Sequence, residues 1–334
     1  MLLLVSWQSG TVHAATGHGV KNTHTTDNTS KSKNTGQSKA SGHEKKKRHG
    51  RSSRHKTAAP EDAGGLNLHV KSAFLMNMNT GKVYYSLNPD ERIPPASITK
   101  VLTLFVVRDA LAQGKIKEST PIPVSSLAIR TGGSTMSLYK GEKVPLSEII
   151  KGISVVSANN ACVAVAEYLG KGDSRSFVGM MNAKAKSLGM SRSTFRNPNG
   201  LPANGQFSSA RDIAKLSAGY LKRYPESLAI HSMTSHTYHG VAHHNANSLL
   251  GRYEGADGLK TGFVCASGYN ITATAKRGNT RLIAVVMGAR NPIIREVETS
   301  RLLDFGFAQA ASDPVPAEKA PKPAKHSKHS KKHS

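Results

Sequence analysis

The two ends of this 334-residue chain lack the side chains needed to build a folded core. Residues 16–60 are mostly Lys, His, Ser, Thr, Asn and Gly, and Val20 is their only large aliphatic residue. Residues 313–334 combine Pro with repeated Lys-His-Ser. Such segments cannot bury enough apolar surface to offset the entropy lost on ordering, so we expect both to be disordered. The catalytic or binding domain is therefore expected within residues 61–312.

Positive charge is concentrated in these ends. Residues 16–60 carry a formal charge of +9 and residues 313–334 one of +4, out of +25 for the whole chain. Basic tails favour polyanions. A specific nucleic-acid site is not expected, because no aromatic side chain is interleaved with the charge to stack on bases. The ends are rich in His, but the absence of CxxC and HExxH spacings predicts no metal site, and no other cofactor is expected.

The first fifteen residues are typical of a signal peptide. A short apolar run, residues 2–7, is followed by the small residues Ala14 and Ala15, which fit a cleavage site. The segment lacks a positively charged start, so two alternatives stay open: a true start upstream of Met1, or an apolar start without function. No other run approaches the ~18 apolar residues that a membrane span needs, so no transmembrane anchor is expected.

The tetrapeptide Ser97-Ile98-Thr99-Lys100 places a hydroxyl and an amine one helical turn apart. It precedes an apolar segment that predicts a buried helix over residues 97–113. Because positions i and i+3 share a helix face, Ser97 Oγ and Lys100 Nζ are expected within hydrogen-bond reach. A serine becomes a nucleophile when a neighbouring base removes its proton, and a desolvated lysine can be that base. Taken alone, the tetrapeptide favours a plainer interpretation, a helix-capping serine and a solvated lysine.

Two later motifs reverse that preference. Ser157-Ala158-Asn159 opens a helical pattern, and Lys260-Thr261-Gly262 lies on a short strand-like run. S-x-x-K, S-x-N and K-T-G in this order are the signature of the serine acyl transferases that include penicillin-binding proteins and related β-lactamases. Each motif is weak alone, but the ordered triple is specific.

Residues 66–310 resemble the D-alanyl-D-alanine carboxypeptidase family, the low-molecular-mass penicillin-binding proteins. Outside the triple, the resemblance is carried by residues 158–164, 177–182, 185–190, 197–201, 208–212, 267–270 and 302–307. It implies a β-lactamase/transpeptidase-like α/β domain, in which helices cover an antiparallel sheet. It also implies a serine D,D-peptidase of peptidoglycan stem peptides that β-lactam antibiotics inhibit. Such an enzyme would be exported to the periplasm or cell envelope, where anionic polymers are candidate partners for the basic ends.

The resemblance assigns catalytic roles to four residues. Ser97 is the acylated nucleophile and Lys100 its base, with a pKa that burial or the neighbouring cation Lys260 would lower. Ser157 would pass the proton to the departing amine. Asn159 would orient Lys100 and hold a substrate amide. A helix cap is the structural interpretation of this motif, and it does not exclude the catalytic role.

The resemblance also implies a binding site for a peptide that ends in D-alanyl-D-alanine. Lys260 and Thr261 would meet the terminal carboxylate, and Gly262 would let the substrate lie close to the strand. The backbone N–H groups of Ser97 and Phe263 would form the oxyanion hole. Arg295 falls where the family places a carboxylate-binding arginine. The alternative for Arg295 is an ion pair with Glu296 or Glu298.

Three other functions remain open. A D,D-endopeptidase that cleaves cross-bridges would use the same site. A β-lactamase commonly needs an added glutamate, but Glu167, Glu226 and Glu254 do not lie in an E-x-x-L-N pattern. The third is a non-enzymatic polyanion-binding protein, against which the intact triple argues.

The only cysteines, Cys162 and Cys265, each follow a motif by three residues, so both are expected near the cleft. An oxidising compartment would favour a disulfide. However, the two motifs are expected on opposite walls, and a disulfide needs Cα atoms within ~7 Å. We therefore expect two free, partly buried thiols.

The spacing of apolar residues along the chain predicts the individual strands and helices. A strand over residues 66–75 and another over 82–86 form a hairpin; further strands are expected over 231–239, 258–263, 267–276 and 280–288. Helices are expected over 97–113, 146–170, 174–188, 208–223 and 292–309. The Gly/Ser-rich residues 130–141 are either a loop beside the active site or an ordinary surface connection.

Overall fold

An antiparallel sheet organises residues 65–313, the part of the chain that this computed structural model describes. The strands are β1 Ser72–Asn77, β2 Val83–Leu87, β3 Pro121–Pro123, β4 Lys143–Pro145, β5 Ser235–Tyr238, β6 Val241–His244, β7 Ala256–Val264, β8 Gly268–Arg277 and β9 Thr280–Ala289. Five of them form the main sheet in the order β2-β1-β9-β8-β7, and β3–β4 and β5–β6 are separate two-stranded hairpins. The first strands of the domain thus lie beside its last strands, and β7 lies at one edge.

Eight helices accompany these strands in the described part of the chain. They are α1 Thr99–Ala112, α2 Ser126–Arg130, α3 Leu146–Lys151, α4 Asn159–Leu169, α5 Ser174–Ser187, α6 Ala210–Arg223, α7 Leu228–His231 and α8 Pro292–Ala311. A 3₁₀ turn, Ala96–Ile98, precedes α1, and a π-helical turn, Gly152–Val156, follows α3.

Strand β9 has an apolar core on each of its faces. Successive strand residues point to opposite faces, and two hydrophobic clusters divide them accordingly. Leu282, Ala284 and Val286 pack with Leu302 and Leu303 of α8. The alternating residues Ile283, Val285 and Met287 join the larger cluster, which contains α1, α4 and α6. The continuous apolar run in the sequence follows from this burial on both faces.

Helix α1 lies inside the larger cluster. Twelve of its fourteen residues are buried, which is typical of a helix that is apolar on all sides. Lys100 is in its first turn and is therefore carried into the interior of the domain.

The predicted fold class, a helix-covered antiparallel sheet, is confirmed. The helices predicted over 97–113, 174–188, 208–223 and 292–309 begin and end within two residues of the observed ones, as do the strands predicted over 258–263, 267–276 and 280–288.

Three predicted elements were wrong in detail. The first strand begins at Ser72 instead of residue 66. The helix predicted over 146–170 is divided by the π-helical turn and by Ser157. The strand predicted over 231–239 is shorter, beginning at Ser235, and β6, which follows it, was not predicted. The sequence of β6, Val-Ala-His-His, does not alternate between apolar and polar residues, so no strand was expected there.

Residues 1–64 and 314–334 lie outside the described residues. They include the predicted signal peptide, the linker over 16–60 and nearly all of the tail over 313–334, so these assignments remain predictions. Among residues 65–313, no helix is both long enough and apolar enough to cross a membrane.

Candidate active site

A cleft of about 760 Å³ opens between edge strand β7 and the turn that carries Ser97. Seven of the predicted site residues line it: Ser97, Ser157, Asn159, Thr261, Gly262, Phe263 and Arg295. The other two, Lys100 and Lys260, are buried, with exposed fractions of 0% and 2%. The structure therefore brings all nine predicted residues to one region.

The Ser97 turn is held in an unusual backbone conformation. Ala96 has φ of 51°, in the left-handed backbone region that residues other than Gly rarely adopt. Two neighbours hold the turn. Asn270 Nδ2 donates to the carbonyl of Pro94 over 3.1 Å, and a Cβ at Gly200 would lie 1.9 Å from the carbonyl oxygen of Ala96. Only glycine fits at position 200.

Lys100 makes the contacts expected of a base beside a nucleophile. Its Nζ lies 2.7 Å from Ser97 Oγ, 2.7 Å from Asn159 Oδ1 and 2.6 Å from the carbonyl oxygen of Asn199. Helix α1 is capped by Ile98, without a side-chain hydrogen bond. The plainer interpretation, a capping serine and a solvated lysine, is therefore wrong.

Burial governs the electrostatics of the two lysines. It lowers the pKa of Lys100 to about 8. It also lowers the pKa of Lys260 to about 7, with repulsion from Lys100 as the next cause. Of the two causes expected for the Lys100 shift, burial is the one found at Lys100, and the repulsion between the two cations lowers the pKa of Lys260.

The cysteines are both free, as predicted, but differ in exposure. Cys162 is fully buried near both lysines, and burial raises the pKa of its thiol to about 11, so it stays neutral. Cys265 is exposed and does not line the cleft. Neither thiol is partly buried as expected: Cys162 is fully buried but lies near the site, whereas the short turn after β7 carries Cys265 outward.

The second motif is formed by a break between helices. After the π-helical turn, Ser157 has φ of 63°, in the left-handed region, and α4 begins at Asn159. Asn159 Nδ2 donates to the carbonyl of Gly132 over 2.8 Å, which directs Oδ1 towards Lys100. The cap of α4 is Ala158, without a side-chain hydrogen bond, so the capping alternative is not supported.

The Gly/Ser-rich loop forms one wall of the cleft. Gly133, Ser134 and Thr135 line it, and the carbonyl of Ser134 accepts a hydrogen bond from the N–H of Asn159 over 2.7 Å. A Cβ at Gly133 would lie 2.7 Å from Asn159 Nδ2. The loop beside the active site, one of the two alternatives, is the observed one.

The third motif lies on β7, against the Ser97 turn. A Cβ at Gly262 would lie 2.9 Å from Ser97 N and 3.0 Å from the carbonyl oxygen of Pro95. Gly262 is therefore required for the close approach of the Ser97 turn, whereas the sequence suggested only that it lets the substrate lie close to the strand. Phe263 is half exposed and packs against Tyr269, with ring centroids 4.3 Å apart and the rings tilted by 32°.

Arg295 is buried in the cleft wall without a carboxylate contact. Its Nη2 donates to the carbonyl of Ala246 over 3.2 Å, and its Nε has no hydrogen-bond partner among the described residues. Glu296 instead binds Ser248 Oγ, and Glu298 binds Arg301. The predicted alternative, an ion pair to one of these glutamates, is therefore not observed.

Sequence reasoning missed two parts of the site. The carbonyl of Asn199 accepts from Lys100, but a backbone oxygen leaves no side-chain signal; its only mark was a stretch shared with the family. His243 and His244 of β6 also line the cleft. They follow from the hairpin that the sequence did not predict.

The comparisons with known proteins agree with this geometry. A sequence model of the D-alanyl-D-alanine carboxypeptidase family matches residues 55–291. The chain belongs to this family. D-alanyl-D-alanine carboxypeptidase DacF of Bacillus subtilis is 41% identical over 251 residues, which cover 73% of this chain and 64% of the relative. D-alanyl-D-alanine carboxypeptidase DacC of Escherichia coli is 39% identical over 257 residues, which cover 75% of this chain and 64% of the relative. The chain thus spans slightly less than two thirds of these relatives.

Solved structures show the same fold. Penicillin-binding protein 5 of Haemophilus influenzae superposes with a TM-score of 0.70 at 37% identity, over 72% of this chain and 71% of that one. Penicillin-binding protein D2 of Listeria monocytogenes, solved with bound ampicillin, gives 0.67 at 29% identity, over 73% of this chain and all of that one. The β-lactamase/transpeptidase-like fold predicted from the motifs is confirmed.

Proposed function

We propose that the protein is a serine D-alanyl-D-alanine carboxypeptidase that acts on peptidoglycan stem peptides and is acylated by β-lactams. The observation that carries the proposal is the fully buried Lys100 amine, 2.7 Å from Ser97 Oγ. A buried amine with a lowered pKa can accept the proton of a serine hydroxyl. Family membership and the β-lactam bound to the Listeria relative support the same chemistry.

In the proposed reaction, Ser97 Oγ attacks the carbonyl carbon of the penultimate D-alanine while its proton passes to Lys100. The N–H groups of Ser97 and Phe263 hold the developing oxyanion; one such donor is typically worth ~10²–10³ in rate. Ser157 conveys the proton to the amine of the terminal D-alanine, which leaves. Water then hydrolyses the Ser97 ester and restores the hydroxyl.

We propose that the terminal carboxylate binds between Lys260, Thr261 and Arg295. Thr261 and Arg295 line the cleft, and Lys260 precedes Thr261 on β7. None of the described residues that line the cleft is a carboxylate. A peptide carboxylate would therefore meet buried cations without competition from an internal anion. Asn159 is proposed to orient Lys100 through its Oδ1. One hydrogen of its Nδ2 is donated to the carbonyl of Gly132, and the second is proposed to hold a substrate amide carbonyl.

The β-lactamase alternative has no support from the three candidate glutamates. Glu226 lies 4.0 Å from Arg108 and Glu254 lies 3.5 Å from Arg277. Glu167 lines a different cavity. None of the three lines the cleft. A long-lived penicillin adduct is therefore expected instead of rapid turnover.

Export, and binding of anionic envelope polymers by the basic ends, stay proposals that rest on the sequence. Deleting residues 16–60 and 313–334 should leave peptidase activity intact and weaken retention on an anionic matrix. Equal loss of activity and retention would contradict this separation.

Labelling with a fluorescent penicillin tests the central proposal. Wild-type protein should be labelled and the Ser97→Ala variant should not, whereas Ser232→Ala, an exposed serine, should be labelled like wild type. Persistent labelling of Ser97→Ala would refute the nucleophile. Mass analysis of products from monomeric and cross-linked muropeptides then separates carboxypeptidase, which releases D-alanine, from D,D-endopeptidase, which cuts the cross-bridge.

A further inference from the structure

Two walls of the cleft come from separate parts of the chain. The first is the loop over residues 131–142, which contributes Gly133, Ser134 and Thr135. The second is the β5–β6 hairpin, which contributes His243 and His244. The substrate would lie against both walls, so their relative position matters for binding.

The β5–β6 hairpin depends on contacts outside its own two strands, and both strands contact the π-helical turn Gly152–Val156. Each strand has four residues, and the pair forms a sheet separate from the main one. An isolated two-stranded hairpin is marginally stable in water. Near its base, His236 Nε2 lies 3.3 Å from Glu148 Oε2 of α3. The tip needs a separate support.

Glu142 provides that support. Its Oε1 accepts a hydrogen bond from Tyr238 Oη over 2.7 Å and contacts His239 Nε2 at 2.7 Å. Its Oε2 accepts from the N–H of Tyr139, in its own loop, over 3.0 Å. The rings of Tyr139 and His239 also pack together, with centroids 5.1 Å apart. One carboxylate thus joins the end of the loop to the tip of the hairpin.

The carboxylate is held in its charged form. Burial tends to raise its pKa, but the hydrogen bonds from Tyr139, Tyr238 and His239 outweigh burial and keep the pKa of Glu142 below its ordinary value. Hydrogen bonds to an ionised acceptor are about twice as strong as neutral ones. The side chain is only 17% exposed, so water competes little for these bonds.

We propose that Glu142 is a positioning residue for the proposed peptidase reaction, which fixes the two cleft walls relative to each other. The loop that it anchors also supplies the carbonyls of Gly132 and Ser134, which hold the side chain and the N–H of Asn159. The hairpin that it anchors presents His243 and His244. Glu142 therefore acts on the substrate through the walls and touches neither Ser97 nor Lys100.

Three variants and a control test this role, which rests on the proposed function. Glu142→Ala removes the carboxylate, Glu142→Gln keeps an oxygen acceptor, and Tyr238→Phe removes one bond without changing Glu142. Glu118→Ala is the matched control, because this glutamate is 63% exposed and lies 3.6 Å from Arg108. For each protein we would measure kcat and KM for D-alanine release, the penicillin acylation rate and hydrogen exchange over residues 235–244.

Glu142→Ala is expected to raise KM about five- to twentyfold with a smaller fall in kcat, as for loss of charge-assisted bonds that position a site. Hydrogen exchange in the hairpin should accelerate, Glu142→Gln should recover much of the KM, and Tyr238→Phe should lie between Glu142→Ala and wild type. Glu118→Ala should match wild type.

The outcomes separate this inference from the proposed function. A wild-type protein that neither releases D-alanine nor reacts with penicillin would refute the proposed function and this role with it. An active wild type with a Glu142→Ala variant within twofold in KM and acylation rate would refute the positioning role alone. Faster hairpin exchange with unchanged kinetics would also refute it, because the contact would then be only structural.

Discussion

The buried cationic side chains at the cleft differ in how many of their hydrogen-bond donors find an acceptor in the protein. An ammonium group has three donors, and Lys100 directs its donors to three acceptors at 2.6–2.7 Å. Among the described residues, Lys260 Nζ has a single acceptor, the carbonyl of Thr261 at 3.2 Å. Arg295 has the carbonyl of Ala246 at the same distance, and its Nε is without a partner among the described residues.

This difference corresponds to two kinds of chemistry. A lysine held by three acceptors beside a serine has a fixed position and a lowered pKa, which suits proton transfer. A cation buried without a counterion destabilises the fold unless an anion from outside arrives. The Lys260 and Arg295 wall is therefore suited to a ligand carboxylate, and the Lys100 wall is suited to the reacting hydroxyl.

Removing the satisfied amine should have the largest effect. In Lys100→Met, Ser97 loses its proposed base while the volume of the side chain is nearly kept, so acylation by penicillin should fall by ~10³–10⁴, the upper part of the range for general-base catalysis. Lys140→Met, which changes an exposed lysine, is the control and should keep the wild-type rate. Acylation of Lys100→Met within tenfold of wild type would show that another group removes the proton.

Removing Lys260, a buried cation with few hydrogen-bond acceptors, should weaken binding of the substrate's terminal carboxylate. In Lys260→Met, kcat/KM for a peptide ending in free D-alanine should fall by ~10²-fold, since losing one partner of a buried charge pair costs ~2–5 kcal/mol. For the same peptide with an amidated end, wild type and variant should be slow and nearly equal. Lys276→Met, on the neighbouring strand and exposed, serves as control. An equal loss of kcat/KM for both peptides would mean that Lys260 does not bind the carboxylate.

The two walls also differ in how much of them the sequence predicted. The Lys100 pair could be placed from residue spacing, because a helix fixes positions i and i+3 within one turn. The K-T-G motif could be placed on a strand, but the sequence explained Gly262 only by the approach of substrate and did not predict its contact with the Ser97 turn. Its contact is with Ser97 N, nearly 170 positions away, and local pattern carries no information on such tertiary contacts.

Other parts of the site left no readable signal. The apolar pattern runs through residues 152–156, so the break that sets Ser157 in a left-handed conformation was not predicted. Asn199 acts through its carbonyl, which every residue type possesses. Glu142 stands between Gly141 and Lys143 and is indistinguishable in sequence from a solvated charge. By contrast, β9 and α8 were placed within two residues because burial on the sheet faces produces long apolar patterns.

The smallest expected effect is a change in the shape of the pH profile, and it tests whether the two walls are coupled. Lys100 must be neutral to accept a proton, and its pKa is lowered to about 8, so kcat/KM should fall as pH decreases below that value. Lys260 must be charged to attract a carboxylate, and its pKa is lowered to about 7, so kcat/KM should also fall as pH increases. The wild-type profile should be bell-shaped, with limbs that belong to the coupled pair.

The Lys260→Met variant should lose the alkaline limb that Lys260 causes. It should also shift the acid limb upward, because Lys100 and Lys260 repel each other, and removing one of two neighbouring cations raises the pKa of the other. Profiles of kcat/KM between pH 5.5 and 9.5 would measure it, with Lys276→Met as the reference. An acid limb that stays in place would mean that burial alone sets the basicity of Lys100, and the satisfied and under-satisfied cations would then act independently.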